Sequence, residues 1–140
     1  MVLATSCAGF GDVEVDPFTV EDGTDSVCTD LLAALPEVVD DAVQRDVSPA
    51  DLPAAAWGQP VIVLRCGVPM PAAYEPDAQL FDINGLGWLP VEAEGGTVFT
   101  SVDRDIRVEV AVPDDYEPPA EVLADLSQVL LDHLPERPLR

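Results

Sequence analysis

The sequence contains no lysine, and its only basic side chains apart from a single histidine are six arginines. Against 27 aspartates and glutamates they leave a formal net charge of −21. Such an acidic surface repels phosphate backbones and anionic lipid headgroups, so we expect no nucleic-acid partner. The acidity itself has two interpretations, a solvated acidic surface or weak binding of divalent cations.

Recognisable catalytic and metal-binding motifs are also missing. The sequence has no Gly-x-Ser-x-Gly, no phosphate-binding loop and no zinc-ligand spacing. The stretch that begins at Asp82 does not fit a calcium loop, because Leu86 and Ala93 fall where oxygen ligands belong. His133 is predicted near the end of a helix, where a histidine needs no catalytic role. We therefore expect no catalytic residue, metal site or cofactor, with a small carboxylate-dependent envelope hydrolase or transferase as the alternative.

Long hydrophobic runs are absent too, since no segment approaches the ~20 apolar residues of a membrane span. The first seven residues instead look like the end of a signal region followed by a lipobox, in which small residues precede a lipidated cysteine, here Cys7. We interpret residues 1–12 as a lipobox remnant and tether, and residues 13–140 as a single α+β domain. This predicts an extracytoplasmic protein that is secreted or anchored to the outer face of the membrane only through a lipid on Cys7. An ordinary N-terminal segment is the alternative.

Cysteine is scarce, with three residues in the chain. If the protein is exported and Cys7 is lipidated, Cys28 and Cys66 remain as a pair, and a disulfide is the simplest outcome. Two buried free thiols in a cytosolic protein are the alternative.

The strongest strand signal is the apolar run over residues 61–66, which is bounded by glycines and a proline. Because strand side chains alternate, Cys66 points to one face of the sheet and Arg65 to the other. Downstream, Asn84-Gly85 is the dipeptide best suited to a two-residue hairpin turn. Further strands are predicted over residues 80–83, 86–91, 97–102 and 106–112, with residues 13–20 as an edge strand and residues 48–60 as a connection.

Two helices are predicted, each with one apolar stripe. The first is capped by Asp25 or Ser26 and is kinked or split at Pro36, and the second opens at Pro118-Pro119 and ends at Pro135. The stripe of the first helix consists of Leu31, Leu35, Val38, Val39 and Ala42. We expect an α+β fold, a mainly antiparallel sheet of about five to six strands with both helices on one face and the other face wet.

The strand phase also groups the candidate binding residues. Arg65 and Arg107 are predicted on the wet face, where with Glu109 and Asp82 they form either an anion-binding patch or a set of cross-strand ion pairs. Two tryptophans can serve as ligand platforms at the sheet end or as core packing. The ligand-binding candidates are Trp57, Arg65, Trp88 and Arg107.

Three stretches of the sequence resemble a known family. They are Ala56-Trp57-Gly58-Gln59-Pro60 continuing through Leu64-Arg65-Cys66-Gly67-Val68-Pro69, then Ile83-Asn84-Gly85-Leu86-Gly87-Trp88, and Phe99-Thr100 with Arg104. These residues resemble an actinobacterial family catalogued as domain of unknown function 3515 (DUF3515). One departure is Gly87, which stands where an acidic residue is expected before the tryptophan.

The resemblance implies a secreted or lipid-anchored envelope protein of a Gram-positive actinobacterium, and it brings no activity with it. We therefore expect a binding or accessory module without catalytic activity. Its expected partner is an envelope protein or a cell-wall component.

Overall fold

The computed structural model describes residues 11–137, and within them the chain forms two helices and ten strands. In chain order these are β1 (Val13–Glu14), α1 (Asp25–Ala34), β2 (Val38–Val39), β3 (Ala42–Arg45), β4 (Val47–Ser48), β5 (Ala54–Trp57), β6 (Ile62–Val68), β7 (Phe81–Ile83), β8 (Leu86–Ala93), β9 (Gly96–Ser101), β10 (Arg107–Pro113) and α2 (Ala120–His133).

Eight of the strands form one sheet in the order β2-β3-β5-β6-β10-β9-β8-β7, and every neighbouring pair in it is antiparallel. β1 and β4 form a separate parallel pair. The predicted α+β class and antiparallel sheet are confirmed. The sheet is wider than expected because residues predicted as helix and connection also form strands.

The first helix is shorter than its apolar stripe indicates. α1 ends at Ala34, and Leu35 takes an extended conformation with ψ 147°, as a residue before proline favours. Residues 38–45 form the β2–β3 hairpin, so the predicted helical continuation through Ala42 is wrong. Val39 and Ala42 are both buried, as the apolar stripe predicts. They are, however, paired opposite each other on the neighbouring strands β2 and β3. The β-branched pair of β2 suits a strand better than a helix.

Two other expectations are corrected at the same end of the sheet. Residues 54–57 form β5 instead of part of a connection, and they pair with β6. Residues 13–20 do not lie on an edge of the main sheet, because only Val13–Glu14 is a strand and it pairs with β4. Pro17 removes a backbone donor and keeps the segment from continuing as a strand.

Both helices pack against one face of the main sheet, as predicted. One apolar core contains the buried side chains of α1 and α2 together with those of the central strands. Its members include Cys28, Leu31, Leu64, Cys66, Val108, Val110, Leu123, Leu126 and Leu130. Neither helix is long and apolar enough to cross a membrane, within residues 11–137.

The sheet face away from the helices is less polar and less exposed to solvent than the alternation of its strands predicts. Val13 and Val15 are buried against Ala56, and Phe18 joins this second cluster, so the segment before α1 covers β5 and part of β6. Farther along, the register places Val63, Ala111, Val98 and Val91 in one row across β6, β10, β9 and β8. Apolar side chains thus occupy much of the outer face, and its polar groups are confined to separate places.

Candidate functional site

The sulfurs of Cys28 and Cys66 form a disulfide, with the two Cα atoms 5.8 Å apart. The bond joins α1 to β6, and both residues are buried. The predicted pairing is confirmed, and with it the prediction that Cys66 faces the helices. Cys7, the predicted lipidation site, lies outside the described residues.

Both predicted binding arginines form ion pairs. Arg65 donates to Glu109 Oε2 at 2.8 Å across the β6–β10 pair, and its guanidinium lies 5.5 Å from the Phe18 ring centroid. Arg107 donates to Glu21 Oε1 at 2.8 Å, which ties the loop before α1 to β10. Of the two predicted arrangements, the geometry favours ion pairs over a shared anion-binding patch.

Asp82 contacts neither of these arginines. Its carboxylate accepts the Gly85 N–H at 3.2 Å within the β7–β8 turn.

The two predicted tryptophans are core side chains in this structure. Trp57 and Trp88 both have 0% exposure. Trp57 donates its indole N–H to the Pro36 carbonyl oxygen at 2.9 Å, which ties the end of β5 to the chain between α1 and β2. The Trp57 side chain is therefore not exposed to a ligand in this structure.

The family resemblance implies an acidic residue at position 87, which is glycine in this chain. The carboxylate of another residue contacts the backbone there. The Gly87 N–H donates to Asp103 Oδ2 at 2.8 Å. A Cβ at position 87 would lie 3.1 Å from that same oxygen, so an acidic side chain there would crowd and repel Asp103. Position 103 thus supplies the negative charge at this turn.

An open cleft of about 640 Å³ lies next to the β2–β3 hairpin. Val43 and Arg45 lie out of phase with the buried Ala42, so they point to the face away from the helices. The lining consists of Gly11, Asp12, Asp40, Asp41, Ala42, Val43, Gln44, Arg45, Asp46, Gly58, Gln59 and Tyr116. Of these, the stretches that resemble the family contain Gly58 and Gln59, and Ala42 belongs to the apolar stripe predicted for the first helix.

Gly58 forms the floor of the cleft at the end of β5. Its φ is 75°, and a Cβ there would lie 2.5 Å from Tyr116 Oη and 2.7 Å from the Ala42 Cβ. Its N–H donates to the Val43 carbonyl oxygen at 2.9 Å. Only glycine fits both the left-handed backbone and the close approach of these neighbours.

Hydrogen bonds fix the walls of the cleft. Arg45 donates from Nη1 to the Gly58 carbonyl and to Gln59 Oε1, both at 2.9 Å, and from Nη2 to the Gly11 carbonyl at 3.0 Å. Tyr116 donates its hydroxyl to the Pro60 carbonyl at 2.6 Å. The N-terminal segment, the end of β5 and residue 116 are thereby held around one space before any ligand arrives.

The rim of the cleft is acidic. Asp40 and Asp41 form the two-residue turn of the β2–β3 hairpin with φ values of 46° and 67°, a region that aspartate tolerates better than most residues. With Asp12 and Asp46 there are four aspartates against one arginine, which leaves a formal charge of −3 on the lining. Burial, then the charges of Asp115 and Asp40, raise the pKa of Tyr116 above 10.0.

This arrangement suits binding of a ligand that carries positive charge together with an apolar part. Carboxylates recognise ammonium and guanidinium groups, and the cleft also presents the apolar side chain of Val43. In the part of the chain that the structure describes, no group of three or more His, Cys, Asp or Glu side chains is arranged to hold a metal ion.

No curated protein and no solved structure matched the chain. A family model did match, over residues 2–139, and its description is "Protein of unknown function (DUF3515)". Because this match covers nearly the whole sequence, the chain belongs to the DUF3515 family.

Proposed function

We propose that the chain is an extracytoplasmic binding or accessory module of the cell envelope that holds its partner in the cleft beside the β2–β3 hairpin. The observation that carries this proposal is the cleft itself, about 640 Å³ of open space with a glycine floor and hydrogen-bonded walls. A site held in shape before binding loses little conformational entropy when a partner enters.

The Cys28–Cys66 disulfide supports a location outside the cytoplasm, because such bonds persist in oxidising compartments. The finer proposal is that Cys7 carries a lipid. Gly11 lies at the mouth of the cleft, and four residues span at most about 14 Å of extended chain. A lipid on Cys7 would therefore keep the cleft close to the outer surface of the membrane, where an envelope protein or cell-wall component is within reach.

Arg65 remains a second contact in the proposal, because 24% of its side chain reaches solvent. Because the Arg65 guanidinium is paired with Glu109, we expect it to contribute less to ligand binding than the cleft does. Trp57 contributes by fixing Gly58, and Trp88 and Arg107 contribute through the architecture of the sheet.

The test is capture of envelope material on the immobilised full chain, with retained protein and glycan both identified by mass spectrometry. Val43→Lys places a long cation in the cleft, and we expect it to abolish retention of the specific partner. Gln79→Lys adds the same charge in an exposed loop and should retain the partner. Arg65→Ala removes only the second contact, so it should reduce retention less than Val43→Lys does. Thermal melts establish that each variant is folded. Equal retention by Val43→Lys and wild type, or loss only in Arg65→Ala, contradicts the cleft as the binding site.

A further inference from the structure

We propose that the partner of the cleft is a basic, amphipathic polypeptide segment, an extended stretch that carries lysine or arginine and apolar side chains two residues apart, on the same side of the chain. This inference rests on the proposed function and names the chemistry of the partner.

The charges of the cleft require a cationic partner. Asp12, Asp40, Asp41 and Asp46 surround the opening, and the guanidinium of Arg45 is directed at oxygens of Gly11, Gly58 and Gln59 within the protein. An anionic ligand would be repelled by these four carboxylates, while the one guanidinium is already hydrogen-bonded to protein oxygens. A cationic side chain gains attraction from the same rim, and the charge of −21 on the whole chain favours its approach from a distance.

Two valines of the β2–β3 hairpin provide the apolar surface that would contact the apolar side chains of the partner. Val38 and Val43 are opposite each other in the β2–β3 register, so their side chains leave the same face as neighbours. They are 50% and 62% exposed, two of the four large hydrophobic side chains that are exposed among the described residues. Val43 also lines the cleft, which makes the valine pair continuous with the acidic rim.

A polypeptide fits this combination better than an amine-bearing glycan does. In an extended peptide, side chains on one side recur about every 7 Å, so one residue can contact the aspartates while the residue two positions along covers the valines. A polyhydroxylated sugar chain can supply the amine, but it gains nothing from the exposed valine pair. The acidic rim next to the exposed valine pair therefore favours a protein segment as the partner.

The inference is tested by fluorescence anisotropy of labelled ten-residue peptides with the full chain. The first peptide has lysine and valine in turn at every second position, with serine between them, so that both side chains lie on one side of the extended chain. The second peptide replaces valine by serine, and the third replaces lysine by glutamate. We expect the first to bind most tightly, the second less tightly and the third not at all, with binding weakened as salt is raised.

Matched variants assign the binding to the cleft. Asp40→Asn with Asp41→Asn keeps the turn, because asparagine tolerates a positive φ, and should weaken the lysine–valine peptide by about tenfold or more, as loss of two charge-assisted contacts implies. Glu75→Gln with Asp77→Asn removes two charges from an exposed loop and should change binding by less than about twofold, as surface charges usually do. Val43→Thr should weaken the lysine–valine peptide and leave the lysine–serine peptide unchanged.

If both double variants weaken binding of the lysine–valine peptide equally, the peptide is attracted to the overall charge of the protein and not to the cleft. That result overturns the inference. If the peptides do not bind while the cleft still captures glycan from the envelope, this inference fails and the proposed function stands. If the cleft captures nothing and binds no peptide, both fail.

Discussion

At the scale of single residues, Gly58 shows how the cleft is built. Because glycine has no side chain, Tyr116 and Ala42 can pack closely against the end of β5. Gly58→Ala should lower the free energy of unfolding by about 3 kcal/mol or more, because the cost of a left-handed alanine, about 1 to 2 kcal/mol, adds to steric overlap. Urea denaturation measures the change.

Gly95→Ala is the matched control for Gly58→Ala. Its φ of 80° is similar, but nothing lies within 4 Å of the added Cβ, so it should cost only about 1 to 2 kcal/mol. Adding Tyr116→Phe to Gly58→Ala removes the hydroxyl that lies 2.5 Å from the new Cβ and should recover part of the loss. Equal costs at positions 58 and 95 would contradict the role of the cleft floor.

Tyr116 reports the negative potential in the cleft, because burial and the charges of Asp115 and Asp40 raise its pKa above 10.0. The folded state holds the phenolic proton more tightly than the unfolded chain does, so this contribution to stability is present below pH 10 and is lost as pH rises through the folded pKa. Absorbance of the phenolate should show a raised midpoint in the wild type, and this transition should be absent from Tyr116→Phe. Asp115→Asn with Asp40→Asn removes both charges and should lower the midpoint, although burial alone keeps it above 10.0. An unchanged midpoint in the double variant would contradict the contribution of these charges.

At the scale of elements, the disulfide is the covalent link between α1 and β6. Cys28→Ala with Cys66→Ala should lower the free energy of unfolding by about 4 kcal/mol, because the bond closes a loop between cysteines 38 residues apart. Guanidinium denaturation of the oxidised wild type and the double variant measures it. A nonreducing digest should yield Cys28 linked to Cys66, and a linkage that contains Cys7 would contradict the pairing.

The elements that the sequence predicted well are those whose signals are local. The alternation of β10, the apolar stripe of α2 and the Asn84-Gly85 turn each depend on nearby residues. In the turn, both residues have the positive φ that this type requires, 55° and 98°. The opposite orientations of Arg65 and Cys66 followed from alternation alone.

The β2–β3 hairpin could not be predicted in the same way. Val39 and Ala42 satisfy the spacing of a buried helix face and also that of a cross-strand pair, so periodicity did not decide between them. The decision came from Pro36, which ends the helix, and from pairing of β3 with β5, a contact between separate segments. The acidic pair Asp40-Asp41, which directly follows two β-branched valines, was the local signal of a turn.

The cleft was missed for a related reason. Asp40, Arg45, Gly58 and Tyr116 come from separate parts of the chain, and only the folded sheet brings them together. The family-like stretch around Trp57-Gly58 marked one wall of the site, but nothing in a single sequence indicated which residues would stand opposite it.

At the scale of the whole molecule, packing within residues 11–137 already covers much of the main sheet. The helices cover one face of the sheet, residues 13–18 cover part of the other, and Arg65 and Arg107 are engaged in ion pairs. The cleft combines open volume, exposed apolar side chains and unbalanced charge. Because the Debye length is about 8 Å at physiological ionic strength, the net charge steers a basic partner over short distances and the cleft must supply the specific contacts.

Site-specific photo-crosslinking in cells that export the chain tests the binding role of the cleft most directly. A photoreactive amino acid replaces Val43 in the cleft or Gln79 in the exposed loop, and adducts are compared after irradiation. We predict a discrete adduct from position 43, lost when Asp40→Asn and Asp41→Asn are added, and none of the same mass from position 79. No adduct at position 43, or the same adducts from both positions, would contradict the account.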